Sequence, residues 1–582
     1  MVDLEICSTS AALSDQVLAS VQLIVRTPSD LRRVVVLDGI LPLAHQIELI
    51  ICEFPTWRTV PLPSPGAEEF WTTCREIASK VDETGLWEVR GVFEDACPSG
   101  SFFHSVSRML DGHRVLGVGQ LAGPCGPGAK AGLLEYDESK PDRIVDRAEI
   151  FEIDKMRGIG APHGNAPHAR ASEINKRIAP IDVRSVNPIG FLRSVPDSTG
   201  TLAFEDGRML VRREGGDPVV IPRSGRATEV EIERLRTLVA VHVPPPAEAS
   251  ESDPVSHVVA SLAAAGVPVL AEPWGGWSES LDPDLDKMIT TVTAGDLGNP
   301  LSREQYSIRL RRHALRTYGM RAQWSRVAGN RAKQLATMGP QVSVILCTKR
   351  AAMVRFGLRQ IERQRGVDPE VVLALHGISA DDPQVARAVA ESELSVQTVE
   401  IADHRTYGEA LTLASRHASG NFLAKMDDDD WYGPDHLSDF LLAHEYSGAE
   451  LVSCGGEFVY LEELDATIRR TRAPSELPSA VMKRGIIAGG AFLITRDAFA
   501  ACGGLPPVPI FEDWELFNSV RNAGGRVYRQ HGLNFVIRRG GQTHEHLWKT
   551  PVDRFLQGDP ERWEGRFFNE LMELSSDTEP FN

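Results

Sequence analysis

The sequence predicts an α/β protein of several domains, whose C-terminal part is a doubly wound, mostly parallel sheet behind a larger N-terminal α/β region. Three observations carry this expectation. The chain has 582 residues, more than a single hydrophobic core accommodates. From Val342 onward, short apolar runs alternate with amphipathic stretches, the pattern of strands joined by crossover helices. Apolar content of 42% and charged content of 24% are those of an ordinary globular chain.

The N-terminal half is read least sharply. Val21-Gln-Leu-Ile-Val25, Val34-Val-Val-Leu37 and Ile47-Glu-Leu-Ile-Ile51 read as strands and exclude an all-helical fold. Gly117 and Gly119 follow an apolar stretch, but Pro124 and Pro127 come at once, so no helix N-terminus is available there to hold a phosphate. Ala161 to His168 reads as a surface loop carrying His163 and His168. Leu202-Ala-Phe204 and Met209-Leu-Val211 flank Glu205-Asp-Gly207 in the manner of a β-hairpin. Pro244 to Pro254, rich in proline, serine and acid, reads as a linker. Beyond it come a helix over 255–264 ended by Gly266, a strand at Val267-Pro-Val-Leu270, and an arginine-rich helix from Arg303 to Tyr318.

The C-terminal half is clearer. Val342 to Cys347 is an expected buried strand that breaks at Thr348-Lys-Arg350, and a helix follows to about Gln364. Glu370 to Leu375 and Ser395 to Ile401 are further strands, and Tyr407 to His417 is a helix. Phe422 to Met426 is a short apolar strand that ends in four carboxylates, Asp427 to Asp430, and the aromatic pair Trp431-Tyr432. Pro434 is expected in the first turn of the helix that runs through His436 to His444. A strand that delivers carboxylates to the carboxyl edge of an α/β sheet places them where such folds bind ligands. Four adjacent like charges call for a positive partner, and a divalent cation with oxygen ligands meets that need; the competing reading is a solvated acidic turn.

Composition narrows the partners. The net charge of −18 argues against a nucleic-acid partner. Eight cysteines with no CxxC spacing suit buried thiols in a reducing compartment. The N-terminus has no basic region followed by an apolar core, and no apolar run approaches the ~20 residues that cross a bilayer. A cytoplasmic protein, able to act peripherally at a membrane surface, is expected; the oligomeric state is not legible.

Four segments, Val342 to Arg350, Gly420 to Trp431, Gly489-Gly-Ala-Phe492 and Phe511-Glu-Asp-Trp-Glu515, together resemble the family-2 glycosyltransferases of the GT-A fold, in the family's order and over about 210 residues. A looser resemblance, carried by Ser256 to Val269 and Tyr306 to Leu315, is to the closing part of a GT-B-type glycosyltransferase domain. The resulting organisation is an N-terminal region over 1–243, a linker over 244–254, a GT-B-like segment over 255–335, a GT-A domain over 336–555 and a tail, read as a short helix and frayed end, over 556–582.

The resemblance implies a metal-dependent, inverting transfer of a sugar from a nucleotide-diphosphate donor to a hydroxyl of a glycan, a lipid-linked glycan or a protein, as in cell-wall or polysaccharide synthesis. It places Asp427-Asp428-Asp429 at the family's DxD motif. Asp427 then faces the ribose, and Asp429 ligates Mn2+ or Mg2+, with Asp430 next in line because a run of four leaves the register open by one. Asp513 takes the role of general base, with Glu512 as the fallback; capping of the following helix is the competing explanation for this pair. Thr348, Arg350, Asp427, Asp428, Gly489, Gly490 and Trp514 line the donor, and His544 or His546 completes the metal shell. The family's acid after the second strand is replaced here by Leu375-His-Gly377, with Asp381 and Asp382 a little later. Two other readings stand beside this one. A nucleotidyltransferase would want a glycine-rich phosphate loop where Cys347-Thr-Lys-Arg350 has no glycine, and a non-catalytic binding module would not need both acidic motifs.

Overall fold

In the computed structural model the chain divides into two compact units. One is Met1–Pro188 with Val195–Gly339, and the other is Ile189–Ser194 with Pro340–Asn582. The residues described are chiefly 17–25, 41–52, 73–81, 86–110, 198–205, 208–213, 215–222, 229–247, 251–274, 281–319, 342–470, 487–508, 511–523, 525–540, 551–558 and 560–575. Val34 to Leu37, the glycines at 117 and 119, the 161–168 loop and both His544 and His546 lie outside them.

The first unit holds two sheets. In one, Val17–Val25, Leu43–Ile51, Trp87–Pro98 and Cys74–Val81 lie side by side in that order, with only the first pair parallel. Helix Ser99–Leu110 follows, and Trp87, Phe102, Phe103, Ile47 and Leu49 fill a shared core. In the other, the antiparallel strands Gly216–Ile221, Arg208–Arg213 and Thr199–Glu205 continue into the parallel strands Ala240–Val243 and Val269–Ala271. The expected hairpin is present, with Glu205 paired to Arg208. Ser252 to Pro254, at the end of the proline-rich stretch, form the first turn of helix Ser252–Ala265, which Gly266 ends at φ +76. The arginine-rich helix spans Pro300–Tyr318.

The second unit is built on an eight-stranded sheet. Its elements begin with β1 (Val342–Thr348), α1 (Val354–Glu362), β2 (Glu370–His376), α2 (Pro383–Glu391), β3 (Val396–Ile401), α3 (Tyr407–Ser415) and β4 (Phe422–Met426). There follow β5 (Trp431–Tyr432), α4 (His436–Ser447), β6 (Leu451–Cys454), β7 (Phe458–Leu461), β8 (Ala466–Arg469), β9 (Ala480–Val481) and β10 (Ala491–Thr495). The unit closes with α5 (Arg496–Ala501), α6 (Glu512–Asn522), β11 (Val527–Gln530), β12 (Phe535–Arg539) and β13 (Glu561–Glu564). The strand order is β3-β2-β1-β4-β10-β6-β11-β9. β1 to β4 are mutually parallel, whereas β10 runs antiparallel to both β4 and β6. Every residue of β1 and β4 is buried, which explains why both read as mostly apolar runs rather than as alternating ones.

Strand order steps outward from β1 to β3 and then returns to place β4 on the other side of β1. The carboxyl ends of β1 and β4 therefore flank a topological switch point, the crevice in which open α/β sheets bind ligands. A second sheet, β5-β12-β7-β8-β13, starts immediately after the acidic run, because Trp431 pairs with Val536 and Tyr432 with Phe535. The four aspartates thus bridge two sheets.

Three details depart from expectation. Helix α4 starts at His436 with Asp435 at its N-cap, leaving Pro434 outside the first turn, and the Pro434 carbonyl accepts from Arg365 N at 2.7 Å. The segment after Phe555 supplies strand β13, paired antiparallel with β8, rather than only a helix, because β8 offers it an open edge. Helix α6 begins at Glu512, so Glu512 and Asp513 lie inside its first turn rather than ahead of it.

His436 is fully buried against Tyr432, Phe440 and Phe535. Burial lowers its imidazole from 6.5 to about 4. On acidification the unfolded chain therefore takes up this proton first, and stability is lost as pH falls from about 6.5 toward 4. The loss expected is roughly 3 kcal/mol. Urea denaturation of wild type and His436→Asn at pH 6.5 and pH 4.5 checks this: the variant is expected to show a smaller difference between the two pH values by about 2 kcal/mol, the part of the loss that falls between them.

Candidate active site

The acidic run is legible one carboxylate at a time. Asp427 Oδ1 accepts from the Tyr407 hydroxyl at 3.1 Å and lies 2.6 Å from Lys425 Nζ. Its backbone N–H donates to the Tyr432 hydroxyl at 2.7 Å, which in turn donates to the Gly490 carbonyl at 2.8 Å. Asp428 accepts from the Thr348 hydroxyl and from two nitrogens of Arg350, so the loop after β1 is tied to the end of β4. Arg350 Nη2 also reaches Asp429 Oδ2 at 2.9 Å. Asp430 Oδ1 accepts from the Arg538 backbone N–H at 2.9 Å, on β12 of the second sheet.

Such crowding shifts the titration of these groups. Burial, then the charge of Asp429, pushes the Asp428 carboxyl up to about 6 even with Arg350 on it. Burial, then Asp429 and Asp427, holds Asp430 well above the usual carboxylate range. Burial also raises Asp427, against the opposing pull of Lys425. Burial alone would lower the Arg350 guanidinium, but Asp428 and Asp429 outweigh it and raise it, so its charge is held. A solvated acidic turn would show none of this. Asp428, Asp429 and Asp430 are 4%, 8% and 5% exposed, which sets that reading aside.

The paired glycines lie directly before β10 and face carboxylates from two directions. A Cβ at Gly490 would stand 2.8 Å from Asp427 Oδ2 and 2.9 Å from Asp430 Oδ2. A Cβ at Gly489 would stand 1.5 Å from Asp513 Oδ2, an impossible overlap. Glycine is required at both positions because a carboxylate occupies the space where a side chain would begin. Asp513 itself sits inside the first turn of α6, and its Oδ1 accepts from the Trp514 N–H at 2.8 Å. The N-cap position belongs to Phe511, at φ +67 and with no side-chain cap, so Asp513 is not the N-cap residue, although its carboxylate bonds a first-turn N–H. Glu512 is half-buried beside Gly408 of α3, and burial raises its carboxyl above the ordinary range.

The structure therefore brings together Thr348, Arg350, Asp427, Asp428, Asp429, Asp430, Gly489, Gly490, Glu512 and Asp513. Trp514 stands apart: it is 37% exposed with the Arg521 guanidinium over its ring at 5.4 Å. After β2, His376 is buried and its Nε2 lies 3.0 Å from the Arg405 carbonyl. Asp382 is the N-cap of α2, accepting from Gln384 N at 2.8 Å. Lys349 Nζ and Asp403 Oδ1 form an ion pair at 2.6 Å between the segments that follow β1 and β3. Two site residues escape the motif reading, Lys425 and Tyr407. A charged residue inside the apolar run Phe422–Met426 is the signal that marks Lys425, whereas nothing in the sequence marks Tyr407.

Asp427, Asp429 and Asp430 offer only hard oxygen donors, the chemistry of Mg2+ and Mn2+ rather than of thiolate-seeking metals. Among the described residues, the one group whose three ligand atoms lie within 4.8 Å of one another is elsewhere, at Asp282, Asp284 and His313 of the first unit. There Asp282 caps a helix and His313 Nε2 is 2.7 Å from Asp282 Oδ1. A cation at Asp429 would accordingly draw most of its ligands from a bound donor. The described residues also contain no helix long and apolar enough to cross a membrane.

Comparison with known proteins gives a family match within the second unit. The family model for glycosyl transferase family 2 matches residues 343–501. A search of curated proteins finds no match. Similar solved structures include a mannosyltransferase, PcManGT, from Pyrobaculum calidifontis in complex with GDP-Man and Mn2+, at 21% identity and TM-score 0.27 over 34% of this chain and 56% of that one. Residues 1–349 of S. aureus TarS in complex with UDP-GlcNAc follow at 13% identity and TM-score 0.27, over 36% of this chain and 62% of that one. This chain thus spans less than two thirds of either.

Gly489→Ala is expected to displace Asp513 or the turn itself and to lower transfer at least about 100-fold, the scale of a misplaced reacting group. Steady-state kinetics beside a thermal melt separates this from unfolding. From the acidic run, the paired glycines and the matched segment together, we conclude that the C-terminal part of the chain carries a glycosyl transferase family 2 domain.

Proposed function

We propose that this domain moves a sugar from a nucleoside-diphosphate donor to an acceptor hydroxyl by a single, inverting displacement. One observation carries the reading. The carboxylates after β4 and the carboxylate of Asp513 both close on the Gly489-Gly490 turn, Asp427 and Asp430 at Gly490 and Asp513 at Gly489. Donor and acceptor would lie against that turn, within reach of both.

Each residue then has a task. Thr348 and Arg350 fix the acidic run to the loop after β1, and the guanidinium of Arg350 is placed to meet diphosphate oxygens at the edge of the run. Asp427, held by Tyr407 and Lys425, faces the donor's ribose side. Asp429, with Asp427 or Asp430, would hold a divalent cation, Mn2+ or Mg2+; when bound, that ion neutralises the charge developing on the departing diphosphate. Asp513 Oδ2 takes the proton of the acceptor hydroxyl as its oxygen attacks the anomeric carbon, and the nucleoside diphosphate leaves from the opposite face. Inversion follows from that single in-line step. The acceptor proposed is a hydroxyl of a glycan, a lipid-linked glycan or a protein.

Two variants test the assignment. Asp429→Ala is expected to remove metal-dependent donor binding, read as loss of the Mn2+-dependent thermal shift that a nucleotide sugar gives wild type. At about 100 times its dissociation constant, a ligand stabilises by roughly 2.7 kcal/mol, which such a shift resolves. Asp513→Asn is expected to keep that shift while transfer falls by about 100- to 10,000-fold, the span of general-base catalysis. Wild-type transfer by Asp513→Asn would sink the assignment of the base. Donor binding without transfer or donor hydrolysis in wild type would favour a binding module.

A further inference from the structure

Lys425 is the one charged residue of β4, and its side chain is only 7% exposed. Its ammonium lies 2.6 Å from Asp427 Oδ1 and donates to the Gly489 carbonyl at 2.8 Å. It also sits 5.4 Å from the centre of the Tyr407 ring, whose hydroxyl donates to the same Asp427 oxygen. Asp513 Oδ2 occupies the space that a Cβ at Gly489 would take. The carboxylates of Asp427, Asp513 and Glu512 all bear on this one ammonium. A strand between two others needs an apolar residue at such a position. A lysine there is tolerated only because several carboxylates and a carbonyl surround it.

The arrangement has a direction. Asp427 comes from the end of β4, the Gly489 carbonyl from the turn before β10, and Glu512 and Asp513 from the start of α6. Nothing in backbone pairing joins these three pieces at this point, since the β4–β10 ladder stops at Met426 and Ala491. Lys425 is where they meet. We propose that Lys425 is a positioning residue for the transfer: its ammonium clamps Asp427 and the Gly489 carbonyl, and so sets the distance between the donor-side carboxylates and the Asp513 base. This rests on the transferase reading given above.

The test uses the full chain with Lys425→Met and Lys425→Arg. Lys425→Met is expected to lower kcat at least about 100-fold while the donor KM stays within about threefold. Lys425→Arg, which keeps the cation, is expected to recover at least tenfold over the methionine variant. A side chain that merely fills space would give the opposite ranking, because methionine packs in an apolar strand more readily than arginine. A second readout needs no turnover. Thermal shifts of Lys425→Met, Asp427→Asn and Asp513→Asn, and of the two double variants that contain Lys425→Met, are expected to be non-additive, since each carboxamide removes a charge that the missing ammonium leaves uncompensated. Additive shifts in both cycles, or wild-type kcat in Lys425→Met, would overturn the proposal. The base assignment fails separately, through an active Asp513→Asn, and the thermal cycles still decide the role of Lys425 in that event.

Discussion

The second unit depends on how four consecutive carboxylates are kept in a mostly buried junction. Charge is expensive to take out of water unless it is paired and hydrogen-bonded, and here each aspartate meets that demand differently. Asp427 has Lys425 and Tyr407, Asp428 has Thr348 and Arg350, Asp429 shares Arg350, and Asp430 has a backbone N–H of β12. The partners come from β1, α3, β4 itself and the second sheet. Compensating the run therefore also fixes where those elements meet.

That constraint has a structural consequence. The run carries the chain directly from β4 of the eight-stranded sheet into β5, where Trp431 and Tyr432 pair with β12. The Tyr432 hydroxyl then returns to the Asp427 N–H and the Gly490 carbonyl, closing a loop of interactions around the paired glycines. Stability and site geometry are not separable here. The same contacts that make burial of the acids tolerable hold the oxygens that a donor and a cation would meet, with upward shifts at Asp427, Asp428 and Asp430 as the signature of that crowding.

Glycine has its part in this balance. At 489 and 490 the absence of a Cβ is what lets Asp513, from a helix distant in sequence, and Asp427 with Asp430, from the end of β4, approach one backbone segment from two sides. Any side chain there would separate the base from the donor-side carboxylates by at least its own width. Transfer chemistry gains from such closeness, because reacting groups must be held within a fraction of an ångström of productive geometry.

Much of this was determined by sequence alone. The strands Val342–Thr348, Glu370–His376 and Phe422–Met426 are buried on both faces, so their runs are mostly apolar and their limits are sharp. The acidic run, the paired glycines and Glu512-Asp513 are local motifs, readable because like residues stand next to one another. What the sequence left open is decided by distance in the chain. Capping and catalysis at Asp513 look alike in one dimension, and its approach to Gly489, 24 positions away, is visible only in the folded chain. Pro434 satisfies a local rule for helix starts, yet pairing of Tyr432 with Phe535 moves the start to His436. Lys425 and Tyr407 acquire meaning only when β4, α3 and the turn before β10 are packed together. Local propensity is written into neighbouring residues, whereas the compensation of a buried charge comes from whichever residues the fold brings within hydrogen-bonding reach, and only the tertiary structure names them.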